Sequence, residues 1–253
     1  MKRISLHPDH AEAYESWIGL LDLADRLPDE WSLAGGQMVY SHAVEHNVEV
    51  PRPSDDADVV IDIRGHREAS ENIFRVLQEI GFESEGFDYA GRRHRWVRGD
   101  AQIDVLQPRH LGDRKELALK RRNLLTIGAP GAQHLLSRSE LVEVQIIERV
   151  SLIRRPDLMG AISAKCAAYR DIVTQAAPER HLVDILTLTP LLSTRVLREA
   201  EPWKRLEQKR IRFAARTAIP RHERYLLQYF PHDLEARVDR LRMLGELSAV
   251  TRA

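Results

Sequence analysis

The first part of the chain contains apolar residues at helical spacing. Tyr14, Trp17 and Leu21 fall three and four positions apart, which is typical of the buried face of an amphipathic helix. The same spacing recurs before residue 80, and a further helix follows a Gly-Gly pair. These patterns predict helices over residues 9–27, 35–46 and 66–80.

Shorter apolar runs between these helices have the composition of β-strands. The clearest run is Val59–Ile63, which follows a turn-forming stretch of proline, serine and aspartate. Other strands are predicted over residues 94–97, 101–106, 141–147 and 150–153. Helices and strands that alternate in this way indicate a mixed α/β domain.

The pattern changes near Pro156, after which almost every segment has the helical period. Prolines are expected to start or break these helices. They are Pro178, Pro190, Pro202, Pro220 and Pro231. We therefore predict an α/β (α+β) fold, in which a mixed sheet with flanking helices occupies residues 1–155 and a helical domain occupies residues 156–253.

Two aspartates at the start of the Val59–Ile63 strand are the first candidates for chemistry. Asp56 and Asp58 are two residues apart, so on a strand their side chains point to the same side. Carboxylates held that close repel each other unless a cation lies between them, and hard oxygen ligands suit Mg²⁺. Asp104 is central in the predicted strand over residues 101–106. If the two strands are neighbours, three carboxylates surround two metal ions, as in-line displacement at phosphorus requires.

Gly35 and Gly36 open the predicted helix that ends near His46. Glycines allow the backbone to approach a ligand closely, and the free N–H groups at a helix N-terminus suit an anionic phosphate. The pair is neither the G-x-G-x-x-G dinucleotide fingerprint nor a Walker loop.

Taken in order, these motifs resemble a known family. They are Gly35-Gly36, Arg52-x-Ser54-x-Asp56-x-Asp58, Asp104, Lys165-x4-Arg170 and Arg180-x3-Asp184. The set resembles the nucleotidyltransferase fold of the polymerase-beta superfamily over roughly residues 30–190, and it is most similar to the AbiEii-type toxin nucleotidyltransferases. Many superfamily members have Gly-Ser where this chain has Gly35-Gly36, whereas Gly-Gly is common in the AbiEii-like branch.

The resemblance implies Mg²⁺-dependent transfer of a nucleotide from a nucleoside triphosphate (NTP). In that scheme Asp56 and Asp58 hold two Mg²⁺ ions, and Asp104 binds the second ion and acts as general base. The remaining implied roles concern the triphosphate. Gly35 and Gly36 cradle it, Ser54 touches phosphate or holds the Asp-x-Asp turn, Lys165 and Arg170 neutralise the leaving pyrophosphate, and Asp184 orients that lysine or the nucleotide.

The 253-residue chain has zero net charge, but its two parts differ. Lys and Arg number 21 against 26 Asp and Glu in residues 1–155, and 17 against 12 in residues 156–253. A basic run over residues 191–225 suits a polyanionic acceptor or forms solvated helix faces. Two more basic runs, residues 109–115 and 120–122, would guide nucleic acid near the cleft or form a solvated loop.

Composition also limits where the protein is expected to work. The sequence has no membrane span and no signal-peptide core, and its single cysteine, Cys166, excludes an internal disulfide framework. We therefore expect a cytoplasmic protein.

The sequence alone does not identify the acceptor of the nucleotide. The resemblance implies RNA, such as the 3′ end of tRNA, and a cognate antitoxin as partner of a toxin. A small-molecule acceptor such as an aminoglycoside would not need the basic second half. A protein hydroxyl is a further alternative. A non-catalytic nucleic-acid-binding protein is disfavoured, because three idle carboxylates would be costly without a metal.

Overall fold

Two β-sheets form the frame of the part of the chain that the structure describes, residues 2–171 and 178–246 of a computed structural model. The larger sheet has the order β2-β3-β6-β5-β4, with β7 paired to β6, and the smaller has the order β1-β8-β9. The strands are β1 (Arg3–Ser5), β2 (Trp31–Ala34), β3 (Ala57–Ile61), β4 (Glu83–Ser84), β5 (Arg95–Arg98), β6 (Ala101–Pro108), β7 (Ile127–Ala129), β8 (Ser139–Ile146) and β9 (Arg149–Pro156).

The larger sheet is mixed. β3 and β6 are parallel neighbours, while β2 pairs antiparallel with β3 and β5 pairs antiparallel with β6. Most residues of the central strands β3 and β6 are buried, as expected for strands covered on both faces.

Helices cover the sheets and are the regular secondary structure of the described chain after residue 157. They are α1 (Ala11–Arg26), α2 (Gly35–Glu45), α3 (Ala69–Glu79), α4 (Asp113–Arg121), α5 (Ala132–Ser137), α6 (Leu158–Asp171), α7 (Arg180–Leu188), α8 (Thr194–Glu199), α9 (Arg205–Leu226) and α10 (Leu234–Glu246), with a short 3₁₀ helix at Thr189–Leu191. α6 packs against α7 and α9, α10 packs against α9, and α7 also contacts α2.

One cluster of buried apolar side chains connects the sheets to the later helices. It extends from Ile4 to Leu244 and includes Trp17 of α1, Trp31 of β2 and Ile162 of α6. The α7 contact with α2 places the helical part beside the Gly-Gly turn, where the predicted site lies.

The predicted mixed sheet with flanking helices, followed by helices only, is confirmed. Strand β9 ends at Pro156, where the prediction changes from mixed to helical structure; residues 172–177 and 247–253 of the predicted helical domain lie outside the described residues. The prediction that Pro220 starts or breaks a helix is wrong, because α9 continues through it. Pro220 is exposed there, so water can satisfy the carbonyl that loses its hydrogen bond.

Candidate active site

β3 and β6 bring two of the predicted aspartates side by side. Their parallel register pairs Asp58 with Asp104, as the prediction of neighbouring strands required. Asp56 lies in the turn before β3, and its Oδ1 accepts a 2.7 Å hydrogen bond from the Ser54 hydroxyl. Ser54 thus holds the turn that presents Asp56.

Asp58 has the most strongly perturbed carboxyl group of this site. Burial, followed by the like charges of Asp56 and Asp104, raises the pKa of Asp58 to about 7, while Lys165 and Arg180 act in the opposite direction. A bound divalent cation would relieve the repulsion that raises this pKa. Asp56 and Asp58 therefore fit an oxygen-ligated ion such as Mg²⁺ by the chemistry of their donor atoms.

Asp104 has a partner that the sequence analysis missed. Arg95 Nε and Nη2 each donate a 3.0 Å hydrogen bond to one oxygen of the Asp104 carboxylate. The signal was in the sequence, since β5 and β6 join at a turn on Gly99, and counting back from that turn puts Arg95 opposite Asp104. Across residues 2–171 and 178–246, no three Asp, Glu, His or Cys side chains are arranged to hold one metal ion.

The Gly-Gly turn packs directly on the aspartates. Gly35 has φ +62°, and a β-carbon there would stand 2.6 Å from Asp58 Cγ. A β-carbon on Gly36 would overlap the Ser54 side chain. Glycine is therefore required at both positions by close packing against the Asp-x-Asp turn, in addition to any approach by a ligand.

α2 begins at this turn without a side-chain cap. The N–H groups of its first turn have no helical partners, and with the helix dipole they attract an anion. Gln37, which follows Gly36, stabilises the turn. Its Oε1 accepts a 2.6 Å hydrogen bond from Trp17 Nε1, and its amide nitrogen donates to the carbonyl oxygen of Ser54.

The predicted Lys165 and Asp184 form a buried ion pair across α6 and α7. Lys165 Nζ lies 2.7 Å from Asp184 Oδ2, and the two residues are only 5% and 2% exposed. Arg52, from the segment before β3, approaches Asp184 Oδ1 at 3.4 Å. The structure therefore supports the idea that Asp184 orients Lys165, and it adds Arg52 as a second cation at the same carboxylate.

Two more side chains of the Arg180-x3-Asp184 motif take part in the electrostatics of the site. Burial and then the charge of Lys165 lower the pKa of His181 to about 3, so this imidazole is neutral near neutral pH. Arg180, which the sequence analysis quoted but gave no role, is half-buried and acts on Asp58 through its charge. Arg170 is exposed and does not lie beside Lys165. Its Nε is 3.8 Å from Asp171 Oδ1, and its guanidinium group lies over the Phe213 ring.

The basic run over residues 191–225 is only partly available to a ligand. Arg210 is 8% exposed and donates a 2.9 Å hydrogen bond to Asp171, and Arg212 donates to the carbonyl oxygen of Gly245. These two arginines join α9 to its neighbours, so the charge count overstated the surface that α9 offers to a polyanion.

Membrane association through a spanning helix finds no support: in the described ranges no helix combines the length and the apolar character that crossing a bilayer requires.

Comparison with known proteins identifies similar folds. No family model and no curated protein matches the chain. The solved structure of JHP933 from Helicobacter pylori is 13% identical, with 94% of this chain and 92% of that chain covered and a TM-score of 0.50. An antigenic nucleotidyltransferase-like protein from Paracoccidioides brasiliensis is 15% identical, with coverages of 92% and 95% and a TM-score of 0.49. The antibiotic-resistance factor ANT(2'')-Ia is 14% identical, with coverages of 83% and 96% and a TM-score of 0.42.

Sequence identities this low are evidence for similarity of fold and not for a shared function. The likeness to JHP933 shows that the two chains share a fold, a mixed sheet with flanking helices followed by further helices. None of these three proteins is named as an AbiEii-type toxin.

Proposed function

We propose that this protein transfers a nucleotide from a nucleoside triphosphate to an acceptor hydroxyl, and that Asp56 and Asp58 hold the Mg²⁺ ions. The observation that carries the proposal is the arrangement of three carboxylates: Asp58 and Asp104 are paired on neighbouring strands, and Asp56 lies two residues before Asp58. Burial and this crowding raise the pKa of Asp58 to about 7. Carboxylates that destabilise one another in this way are typical of sites that bind a cation or move a proton.

Asp104 is proposed as the third ligand and as the general base. Its place beside Asp58 on the neighbouring strand supports this role. Arg95 now bonds both Asp104 oxygens, so the role requires the guanidinium to release at least one of them. Arg95 would then be free to face the triphosphate, because an arginine fork binds phosphate as well as carboxylate.

The triphosphate is proposed to lie along the start of α2. The uncapped first turn, the Gly35-Gly36 backbone and the charges of Lys165 and Arg180 all favour an anion there. Ser54 contributes by holding Asp56. Arg170 would meet phosphate only at the outer end of the site, since it does not lie beside Lys165.

The reaction follows from these positions. Asp104 accepts the proton of the acceptor hydroxyl, the acceptor oxygen attacks the α-phosphorus, and the bond to the bridging oxygen breaks to release pyrophosphate. Bound Mg²⁺ supplies Lewis acidity and neutralises the developing charge. Lys165 and Arg180 stabilise the pyrophosphate as it leaves, and Asp184 fixes Lys165 in place.

RNA is the proposed acceptor, with the 3′ end of tRNA as the specific candidate. This finer assignment, with the role of a toxin opposed by an antitoxin, rests on the motifs Lys165-x4-Arg170 and Arg180-x3-Asp184. A small-molecule acceptor is the second candidate. It is favoured by the structural contacts of Arg210 and Arg212, which reduce the surface that α9 offers to a polyanion.

The test is transfer from α-labelled triphosphates, with Mg²⁺, to total RNA and separately to an aminoglycoside. Asp58→Asn should lower transfer by about 100-fold or more, since even outer partners of metal sites change activity by 10- to 100-fold. A chelator should abolish transfer. Asp100→Asn, a matched change at an exposed aspartate, should leave it intact. Equal labelling by the parent and Asp58→Asn would refute the metal assignment, and labelling of the aminoglycoside alone would decide for the second candidate.

A further inference from the structure

A surface beside β5 is not used by the proposed chemistry. It combines the loop between β4 and β5 with the end of α4, and we call it the Tyr89 surface. Its members are Phe87, Tyr89, Arg93, Lys120 and Arg121.

The loop presents Tyr89 in a fixed position. Asp88 Oδ1 accepts hydrogen bonds of 2.9 and 3.0 Å from the backbone nitrogens of Ala90 and Arg92, and Asp88 Oδ2 accepts one of 2.7 Å from Arg92 Nε. These bonds close a tight turn with Tyr89 at its tip, where the side chain is 100% exposed. The turn fixes the backbone beneath Tyr89, so a ligand that stacks on the ring has to order only the rotations of the side chain.

Arg93 supports the second aromatic ring of this surface. Its guanidinium carbon lies 4.7 Å from the Phe74 ring centre, 5.2 Å from that of Trp96 and 5.6 Å from that of Phe87. Phe87 is 52% exposed, so one part of its ring rests near Arg93 and the rest faces solvent. Arg93 forms no ion pair with any residue in the described part of the chain, so its charge is not cancelled by a carboxylate.

The end of α4 adds two more cations. Lys120 lies over the loop, since its Cε stands 3.3 Å from where a β-carbon on Gly91 would be. Lys120 and Arg121 are exposed, and neither pairs with a carboxylate among residues 2–171 and 178–246. Only Leu119 of α4 is buried, so the fold does not require this much positive charge on the helix.

We propose that the Tyr89 surface binds single-stranded RNA, with bases stacked on Tyr89 and Phe87 and with phosphates on Lys120 and Arg121. Interleaved aromatic rings and unpaired cations are the features by which proteins hold single strands without reading their sequence. An anionic membrane would be attracted to the two exposed cations by only about 1 kcal/mol each. This inference deepens the proposed function, because it names the surface that holds the acceptor.

The position of the surface agrees with that role. Tyr89 precedes Arg95 by six residues, so the two backbones are at most about 20 Å apart. Arg95 bonds Asp104 directly. An RNA strand stacked on Tyr89 can therefore extend its end to the carboxylates.

The experiment measures binding of a short fluorescein-labelled single-stranded RNA by anisotropy across a salt series. Tyr89→Ala should weaken binding about tenfold, whereas Tyr89→Phe should bind like the parent, because stacking needs the ring and not the hydroxyl. Lys120→Glu with Arg121→Glu should lower the salt slope by about 1.4, which is 0.7 for each lost phosphate contact.

The control is Lys209→Glu with Arg216→Glu, which makes the same charge change on the exposed face of α9. Weakened binding by the Lys120/Arg121 variant with parent-like binding by this control supports the proposal. Parent-like binding by the Lys120/Arg121 variant overturns it, whether or not the control weakens binding. Binding of the parent to phosphatidylserine vesicles but not to RNA also overturns it. The failure of the proposed function is distinguishable, because titration with Mg²⁺-NTP and the transfer assay report on the carboxylates while anisotropy reports on the Tyr89 surface.

Discussion

Replacing Asp58 by asparagine should change how the stability of the protein depends on pH. The fold raises the pKa of this carboxyl group from 3.8 to about 7, so the native state binds its proton more tightly than the unfolded chain does. The neutral form therefore stabilises the native state fully below about pH 4, and this contribution is lost as the pH rises through 7. Asparagine is neutral at every pH and keeps nearly the same shape.

The size of the effect follows from the pKa difference. A difference of about 3 pKa units corresponds to about 4 kcal/mol at 1.36 kcal/mol per unit. That figure is a ceiling, because Asp58 is partly exposed and water screens its charge. The range from pH 5 to pH 8.5 covers about two of these units, so we expect the free energy of unfolding of Asp58→Asn, relative to the parent, to rise by up to about 2 kcal/mol across it.

Urea unfolding at both pH values measures this difference. Comparing the two pH values for the same variant removes any destabilisation by the amide that does not depend on pH. Asp100→Asn, at an exposed position on the turn between β5 and β6, is the matched control and should show no such rise. Mg²⁺ at pH 8.5 should stabilise the parent by mass action and leave Asp58→Asn unchanged. If the parent and Asp58→Asn keep a constant difference across pH, burial and the neighbouring carboxylates do not raise the pKa of Asp58, and this reasoning is refuted.

Two further predictions concern stability. Gly35→Ala should cost at least about 2 kcal/mol, because it adds an overlap with Asp58 to a strained φ of +62°. Gly99→Ala should cost less, since Gly99 has a similar φ of +57° but nothing within 4 Å of its β-carbon, and equal losses in chemical unfolding would rule out the overlap. Lys165→Met and Asp184→Asn should each destabilise the protein by about 3–5 kcal/mol, because each leaves a buried partner uncompensated. In calorimetry the double variant should lose less than the sum of the two, and simple additivity would show that the pair is not coupled.

Much of the site follows from local sequence. The apolar runs beside Asp58 and around Asp104 were enough to predict the two strands that carry these carboxylates. That the strands are neighbours was a condition of the predicted site, and the structure fulfils it. The Arg95 contact also follows from strand geometry, but it needs the hairpin register as well as the strands. Predicting strands one at a time therefore misses it.

Contacts between helices are less accessible to such reasoning. The Lys165–Asp184 pair depends on how α6 and α7 cross, and the sequence gives their faces but not their packing. The charge count over residues 191–225 failed for a similar reason. The count treats Arg210 and Lys209 alike, although Arg210 forms an ion pair with Asp171 and Lys209 is exposed to solvent.

The carboxylate of Asp184 joins two parts of the molecule by bonds of unequal strength. It is held tightly by Lys165 within the helical layer, at 2.7 Å, and loosely by Arg52 of the segment before β3, at 3.4 Å. An anion that enters beside Arg52 needs to break only the longer contact, and Lys165 still neutralises Asp184 when it does. The Arg52 guanidinium is therefore the exchangeable partner of Asp184, and an anion that competes for it leaves the buried Lys165–Asp184 pair intact.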